Sequence, residues 1–432
     1  MQEYSINKDS ELELINEISN IKLILNNLIY RKHSLRDLTN LKTYSIDEES
    51  SFEIDDAISL EQTNNLNKLW IHIASPASFI KYDSLIDSSA RKLISTIYLS
   101  DTTIYMLPKD LIKNVFSLSQ NDERIALSLG VILNEDGSVY SYELAQTLIK
   151  TNYRLTYTEA DELIDYSPIE EQDLSIISMM LKSRNIWRKN LGAMEILESH
   201  GKIIVKNNIP TLKITDPTLS RQLISEAMIL YGDLIANFTS KNDIPVPYRV
   251  QQTSDKVRFE KYINLDNQIL SNFLLKKSMG KSYYSSKPQN HSSLALSSYI
   301  HATSPIRRYA DLLVHYQIYS YLNHKSVISL DVIENNIKLI NILGRQNTNR
   351  YREDQKYWIN KWFENNSFVD YRVILLNWIN RYKNICILHF QDYNFTSICF
   401  LQTKLELEIG FKFSVENITS DYNNMLYFKL IS

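Results

Sequence analysis

Six carboxylates crowd into ten residues: Asp47, Glu48, Glu49, Glu53, Asp55 and Asp56. Such a run is commonly a solvated acidic loop. Two details argue for more. Asp55 and Asp56 lie between Ile54 and Ala57-Ile58, where a strand pattern begins, and Asp47 follows Ile46, so at least one carboxylate points into structure. Carboxylates held together at strand ends repel one another unless a cation neutralises them, and hard oxygen donors of this kind suit Mg²⁺ or Mn²⁺. The second chemical stretch runs from His301 to Asp311, with Ser304-Pro305-Ile306-Arg307-Arg308-Tyr309 at its centre. Ser304 is placed to cap a helix and Pro305 to take its first position. Arg307 and Arg308 then fall in the first turn, where cations oppose the helix macrodipole. An anion would resolve that conflict, because free backbone N–H groups and two guanidinium forks make a phosphate site. Pairing with acidic neighbours is the alternative, and these residues alone leave both open. Glu226 is the lone acid in an apolar helical stretch and needs a partner if buried. It is a structural ion-pair member or an active-site carboxylate.

The elements that carry these residues follow from periodicity. An amphipathic helix is expected over 9–30, with Leu12, Ile15, Ile18, Leu23 and Ile24 as its apolar face. Residues 68–80 read as a strand and a turn, and 126–150 as two strands joined at Asn134-Glu135-Asp136-Gly137. Helices are expected at 169–191, 218–240 and 329–363, and after Tyr157, with Thr158 as cap. Beyond Arg307, apolar residues recur at Tyr309, Leu312, Leu313, Tyr316 and Ile318. Residues 367–432 show short alternating segments between Asn and Asp turns, the pattern of a small five-stranded barrel.

At 432 residues and 22% charged, the chain is globular and large enough for two or three domains. A net charge of -3 gives no global bias toward nucleic acid, so any such site is a local patch. Cys386 and Cys399 form no metal pattern and read as buried thiols of a reducing compartment. No apolar run reaches ~18 residues, so no membrane span is expected. Abundant Ile, Asn, Lys and Tyr suggest A+T-rich codons, hence a reduced bacterial genome or an organelle, and the cytoplasm or plastid stroma.

Three segments together resemble the ribonuclease II/R family of RNB-domain exoribonucleases. They are Ser45-Ile46-Asp47, Glu53-Ile54-Asp55-Asp56-Ala57, and His301 through His315. Ile71-His72-Ile73-Ala74, Tyr105-Met106-Leu107-Pro108, Arg154-Leu155-Thr156-Tyr157, Ser225-Glu226-Ala227-Met228 and Pro247-Tyr248-Arg249-Val250 match in order, and the run after Glu226 looks most like the cyanobacterial and plastid branch. The resemblance implies an α+β fold. A helical segment (1–32, with no full cold-shock domain) precedes an RNB catalytic domain (33–322), a mixed sheet wrapped by helices. A helical connector (323–366) and a degenerate S1/OB-like barrel (367–432) follow. It implies hydrolysis of single-stranded RNA from the 3′ end to nucleoside 5′-monophosphates with Mg²⁺ (or Mn²⁺), by a monomer. Asp47, Asp56 and Glu53 would hold metal. Asp55 would position the terminal nucleotide or share the metal, and Arg307 would clamp the scissile phosphate. Tyr157 and Glu226 would lie near the terminal nucleotide, and Tyr98, Arg308, Ser304 and Tyr309 would contact RNA.

Three departures from the family pattern are visible. Glu53 stands where Asp is usual, Ser75 replaces an Asp, and Ile196 stands where a stacking Phe is common. Losing one base–aromatic stack costs roughly 1–3 kcal/mol. These changes motivate the alternative of a catalytically attenuated RNB-fold protein that binds RNA or regulates.

Overall fold

The computed structural model describes residues 8–30, 35–63, 66–252, 265–366, 370–403, 406–417 and 426–431. The domain boundary expected at 32/33 lies outside them, and the one at 366/367 lies at their edge.

Helix α1 (Lys8–Tyr30) leads in. Strands β1 (Arg36–Asp37), β2 (Thr43–Ile46), β3 (Asp56–Thr63) and β4 (Leu66–Ala74) follow, then α2 (Leu85–Leu93) and the short pair β5 (Ile97–Tyr98) and β6 (Thr103–Ile104). β7 (Glu123–Leu133) and β8 (Val139–Leu155) form a hairpin, and Gly137 turns it with φ of 84°. The sheet order is β1-β8-β2-β3-β4-β7. The 17-residue β8 also pairs with β7 through its first part and with β2 through its last, so the sheet closes on itself.

Helices cover both faces. α3 (Tyr157–Tyr166), α4 (Gln172–Asn190) and the β9 (His200–Lys206)–β10 (Ile209–Thr215) hairpin come next, then α5 (Leu219–Lys241), β11 (Tyr248–Val250), α6 (Gln268–Ser278) and β12 (Tyr283–Ser285). Alternation along β4 sorts the core. Leu69, Ile71 and Ile73 pack toward α4 and α5, while Trp70 and Ala74 pack toward α2 and α1. Helix α7 (Tyr309–Leu322) serves both clusters, with Tyr309, Leu312 and Leu313 in one and Val314 and Ile318 in the other. Residues 309–318 are all buried, the polar Asp311, His315 and Gln317 among them.

Helix α8 (Leu330–Asn365) leads to the five strands β13 (Asp370–Asn380), β14 (Ile385–Phe390), β15 (Phe395–Gln402), β16 (Lys412–Asn417) and β17 (Leu426–Ile431). They close in the order β13-β14-β15-β17-β16, with β15 and β17 parallel, an OB-like barrel. Cys386 and Cys399 are free, buried and opposite one another on β14 and β15. Among the described residues no helix is long and apolar enough to cross a membrane.

Three local expectations need correction. The buried side of α1 is Leu14, Ile18, Ile21 and Leu25, whereas Ile15 and Leu23 face solvent at 55% and 60% exposure. Ile18 lies on the expected face, Ile15 and Leu23 do not, and Leu12 and Ile24 lie outside the residues whose side chains are described. Thr156, not Thr158, caps α3, in a reciprocal box with Glu159. Ser304 does not cap α7, because residues 304–307 form a separate turn and the helix opens at Tyr309.

Candidate active site

The acidic loop is assembled from strand ends. β2 and β3 are antiparallel, with Tyr44 opposite Ile58, so the end of one lies beside the start of the other. Asp47 follows β2, and its N–H donates to the Leu155 carbonyl where β8 ends (3.0 Å). Asp56 opens β3. The Asp55 carbonyl accepts from Ala74 N–H (2.8 Å), and Ile54 N–H donates to Ser117 Oγ (2.8 Å). Backbone pairing thus fixes the loop on both sides, and the carboxylates cannot move apart to relieve their repulsion.

The arginine turn meets this loop. Asp55 is buried; its Oδ1 accepts from Ile306 N–H (3.0 Å) and its Oδ2 from Arg307 Nε (2.9 Å). Arg307 Nη2 donates to Ser304 Oγ (3.0 Å). Arg308 pairs with Asp311 Oδ2 (2.7 Å from Nη2), which also accepts from Ser304 N–H (2.8 Å). Both arginines therefore pair with acidic neighbours. Arg308 is the N-cap residue of α7, so its charge still faces the helix N-terminus, where Asp311 in the first turn offsets it.

Glu53 is held differently. Its oxygens accept from Thr96 Oγ1 (2.8 Å) and from the Tyr98 hydroxyl. Thr96 N–H donates to the Arg307 carbonyl (3.0 Å), so the β5 segment runs beside the arginine turn. The Tyr98 ring stays 40% exposed while its hydroxyl is anchored.

Charge in this space is strained. Burial pushes Asp55 up to about 7, against the pull of Arg307 and the Ile306 N–H. Burial and the charges of Asp55 and Asp47 push Asp56 to about 7. Burial raises Glu53 against its two hydroxyl donors. Burial raises the Tyr157 phenol, and Asp47 and Asp56 raise it further, so Tyr157 faces the same carboxylates.

Among the described residues no three His, Cys, Asp or Glu side chains are grouped as a metal-ligand cluster. Mg²⁺ is commonly held by one or two carboxylates, with water and substrate phosphate filling the other positions. Asp47 and Asp56 fit that pattern, since the Asp47 charge bears on Asp56 and neither has an ion-pair partner among the described residues. A hydroxyl of Thr96 or Tyr98 already bonds each oxygen of Glu53, which weakens it as a metal donor.

Other expected site residues lie elsewhere. Glu226 is 1% exposed and clasped by Arg188 Nη2 (2.6 Å) and Asn185 Nδ2 (3.0 Å), so of its two readings the structure supports the ion pair. Tyr309 is fully buried with its hydroxyl on Asp87 Oδ1 (3.1 Å), and RNA cannot reach it in this fold. Ser304 is buried beneath Arg307, and Arg308 is turned toward Asp311. Ser75 bonds Ser78, and Ile196 is half-buried in an irregular segment.

Two residues at the site escape a linear reading. Thr96 carries no motif. Arg221 had a signal, a cation in the first turn of α5, where a cation is disfavoured. Its guanidinium lies over the Tyr157 ring, 3.8 Å from the centre.

Carboxylates on strand ends, an arginine folded onto them from a distant turn and an OB-like barrel downstream define a class of α+β protein with an acidic site edged by an arginine. The chain belongs to the RNB-domain ribonuclease family: residues 35–324 match the RNB domain. It is 33% identical over 348 residues to an uncharacterized ribonuclease of Synechocystis sp., covering 79% of this chain and 52% of that protein. It is 33% identical over 294 residues to the chloroplastic/mitochondrial ribonuclease II of Arabidopsis thaliana, covering 66% and 36%. The chain thus spans about half the length, or less, of these relatives. Its fold is similar to Mycoplasma genitalium RNase R in complex with ribose-methylated single-stranded RNA, at a TM-score of 0.83 and 19% identity, covering 96% of this chain and 75% of that one. It is also similar to yeast Ssd1, a pseudonuclease, at a TM-score of 0.69 and 17% identity, covering 86% and 51%.

Proposed function

We propose that this chain is a 3′→5′ exoribonuclease that hydrolyses single-stranded RNA to nucleoside 5′-monophosphates, in the cytoplasm or plastid stroma. The observation that carries the reading is the Asp55–Arg307 pair beside Asp47 and Asp56. Asp55 spends both oxygens on Ile306 and Arg307, so its part is to aim the guanidinium. The Arg307 side chain is 39% exposed, and its free N–H edge clamps the scissile phosphate. Asp47 and Asp56 would hold Mg²⁺, which when bound neutralises charge developing on the phosphate and activates water. Tyr157, beside both carboxylates, sits against the leaving nucleotide, and the half-exposed Tyr98 ring offers a stacking face.

One observation favours a second reading, RNA binding with little turnover. Glu53 is withdrawn onto Thr96 and Tyr98, leaving two carboxylates for a metal. A 5′-labelled single-stranded oligoribonucleotide, incubated with Mg²⁺ or with EDTA, separates the two, with Asp56→Asn alongside. Shortening from the 3′ end that needs both metal and Asp56, with 5′-monophosphates released, supports the nuclease. Binding without shortening across several metals and salt levels supports the attenuated protein.

A further inference from the structure

We infer that Arg221 is a substrate-orienting residue at the terminal-nucleotide end of the site: it holds the Tyr157 ring and the Asp47 turn in place and keeps one N–H for an oxygen of the bound nucleotide. This rests on the ribonuclease reading above.

The geometry ties three candidate parts together. The Arg221 guanidinium stacks on Tyr157 at 3.8 Å, and its Nη2 donates to Glu48 Oε1. Glu48 N–H in turn donates to Asp47 Oδ1 (2.7 Å), and its other oxygen accepts from Lys213 Nζ on β10 (2.8 Å). The start of α5 is locked to the start of α3, since Ser220 Oγ donates to the Tyr157 carbonyl (2.9 Å) and Ser220 N–H to Asp161 Oδ1 (2.7 Å). Arg221 therefore has a fixed position relative to Tyr157, and any shift of its fork moves the turn that carries Asp47.

Two features of Arg221 are costly for an arginine with a purely structural role. Its Nε–H is buried with no hydrogen-bond partner among the described residues, and a buried unpaired donor is expensive. It also places a cation in the first turn of α5, against the dipole. Glu48 offsets part of the second cost and none of the first. The Arg221 side chain is 28% exposed, and an anionic oxygen arriving on that exposed edge beside Tyr157 offsets the second. A phosphate or ribose oxygen of a terminal nucleotide has the right chemistry and would stand next to the ring that Arg221 backs. Lysine has no planar face to lay on Tyr157 and no Nε donor of this geometry.

The test uses the full chain as wild type, Arg221→Lys, Arg221→Met, Tyr157→Leu and the double Arg221→Met/Tyr157→Leu. The dissociation constant of a 5′-fluorescent tetraadenylate with a 3′-hydroxyl is measured in EDTA, with thermal midpoints as a check on folding. Arg221→Met is expected to weaken the tetranucleotide roughly tenfold, and the double variant no more than the weaker single, because the two side chains act as one unit. Arg221→Lys is expected to recover less than about twofold. A 20-nucleotide RNA, gripped by remote contacts as well, should weaken by less than about threefold. Unchanged tetranucleotide binding, additive losses, full rescue by lysine or no binding by the wild type each overturn the inference. If Arg221→Met unfolds the chain, Glu48→Gln replaces it, since it loosens the fork and leaves Tyr157 intact. About threefold weakening is then expected, and no change is overturning. Shortening of RNA with Mg²⁺ is scored separately, so a missing nuclease activity with an intact binding cycle removes only the reading above.

Discussion

Asp55 and Arg307 lie 252 positions apart in the chain and share a direct ion pair, Arg307 Nε donating to Asp55 Oδ2 at 2.9 Å. The pair is lopsided. Asp55 is 2% exposed, whereas the Arg307 side chain is 39% exposed. The carboxylate is the buried end of the pair and the guanidinium the accessible one. Arg307→Ala strands a buried carboxylate that keeps only the Ile306 N–H. We expect it to lower RNA turnover by at least ~10²-fold, as loss of a phosphate-stabilising donor does. We expect a stability loss of about 2 kcal/mol, below the usual buried-pair range because the arginine end is solvated. Single-turnover rates and urea unfolding check both. Turnover within about threefold of wild type would remove Arg307 from the chemistry.

Tyr98 separates ring from hydroxyl. The hydroxyl is committed to Glu53, and the ring is open to solvent. Tyr98→Phe keeps the stacking face, whereas Tyr98→Ala removes it. Single-stranded RNA binding should weaken by about 1–3 kcal/mol in the alanine variant and by under about 1 kcal/mol in the phenylalanine variant. Fluorescence anisotropy in EDTA measures both. Equal weakening in the two would assign the effect to the Glu53 bond and not to stacking.

How far a linear reading reaches is clear from these residues. Asp47 and Asp56 are legible because strand-end carboxylates beside apolar runs are a local pattern, and the β7–β8 turn is legible because Asp136-Gly137 is local too. Glu226 and Tyr309 are not. Both sit within matched motifs, yet one is claimed by Arg188, 38 positions away, and the other by Asp87, 222 positions away. A partner at that distance leaves no trace in spacing. The choice of α1's buried face has a related cause. Apolar residues outnumber the positions that one contact surface needs, and only the neighbouring cluster of Trp70, Ile86 and Ile333 decides which are used. Thr96 is missed because its role is a single hydroxyl on Glu53, made possible by the strand that runs beside Arg307.

The buried Arg188–Glu226 pair yields a prediction opposite to a catalytic one. Removing a single partner from such a pair leaves an uncompensated charge. Glu226→Ala should cost about 3–5 kcal/mol of stability, while Arg188→Met/Glu226→Met together should cost much less. Urea midpoints for the two singles and the double give the answer. RNA turnover by the folded fraction of the double variant should stay within about threefold of wild type, and a loss of ~10²-fold with stability intact would return Glu226 to the active site.

His72 gives the fold a testable acid limit. It is fully buried on β4, with Nε2 2.8 Å from Ser59 Oγ and Nδ1 2.7 Å from Ser128 Oγ, so both ring nitrogens are held by neutral hydroxyls. Burial pushes its pKa down to about 3. The native state therefore keeps His72 neutral, while the unfolded chain binds a proton below about 6.5. The unfolded state binds more protons through that window, so the His72 contribution is fully present above pH ~6.5 and is lost as pH falls toward the folded value. Asp55 and Asp56, raised to about 7, run in the opposite sense, since their native forms take up protons first. His291 and His315, lowered to about 4 by burial, add to the His72 slope. The total curve mixes all of these, and the informative quantity is the difference between wild type and His72→Gln, whose amide retains hydrogen-bonding capacity toward both serines but does not titrate. The wild type should lose about 1.6 kcal/mol relative to the variant between pH 6.5 and 5. Urea unfolding at half-unit pH steps measures it, and a pH-independent difference would mean that His72 is protonated in the fold or that water reaches it.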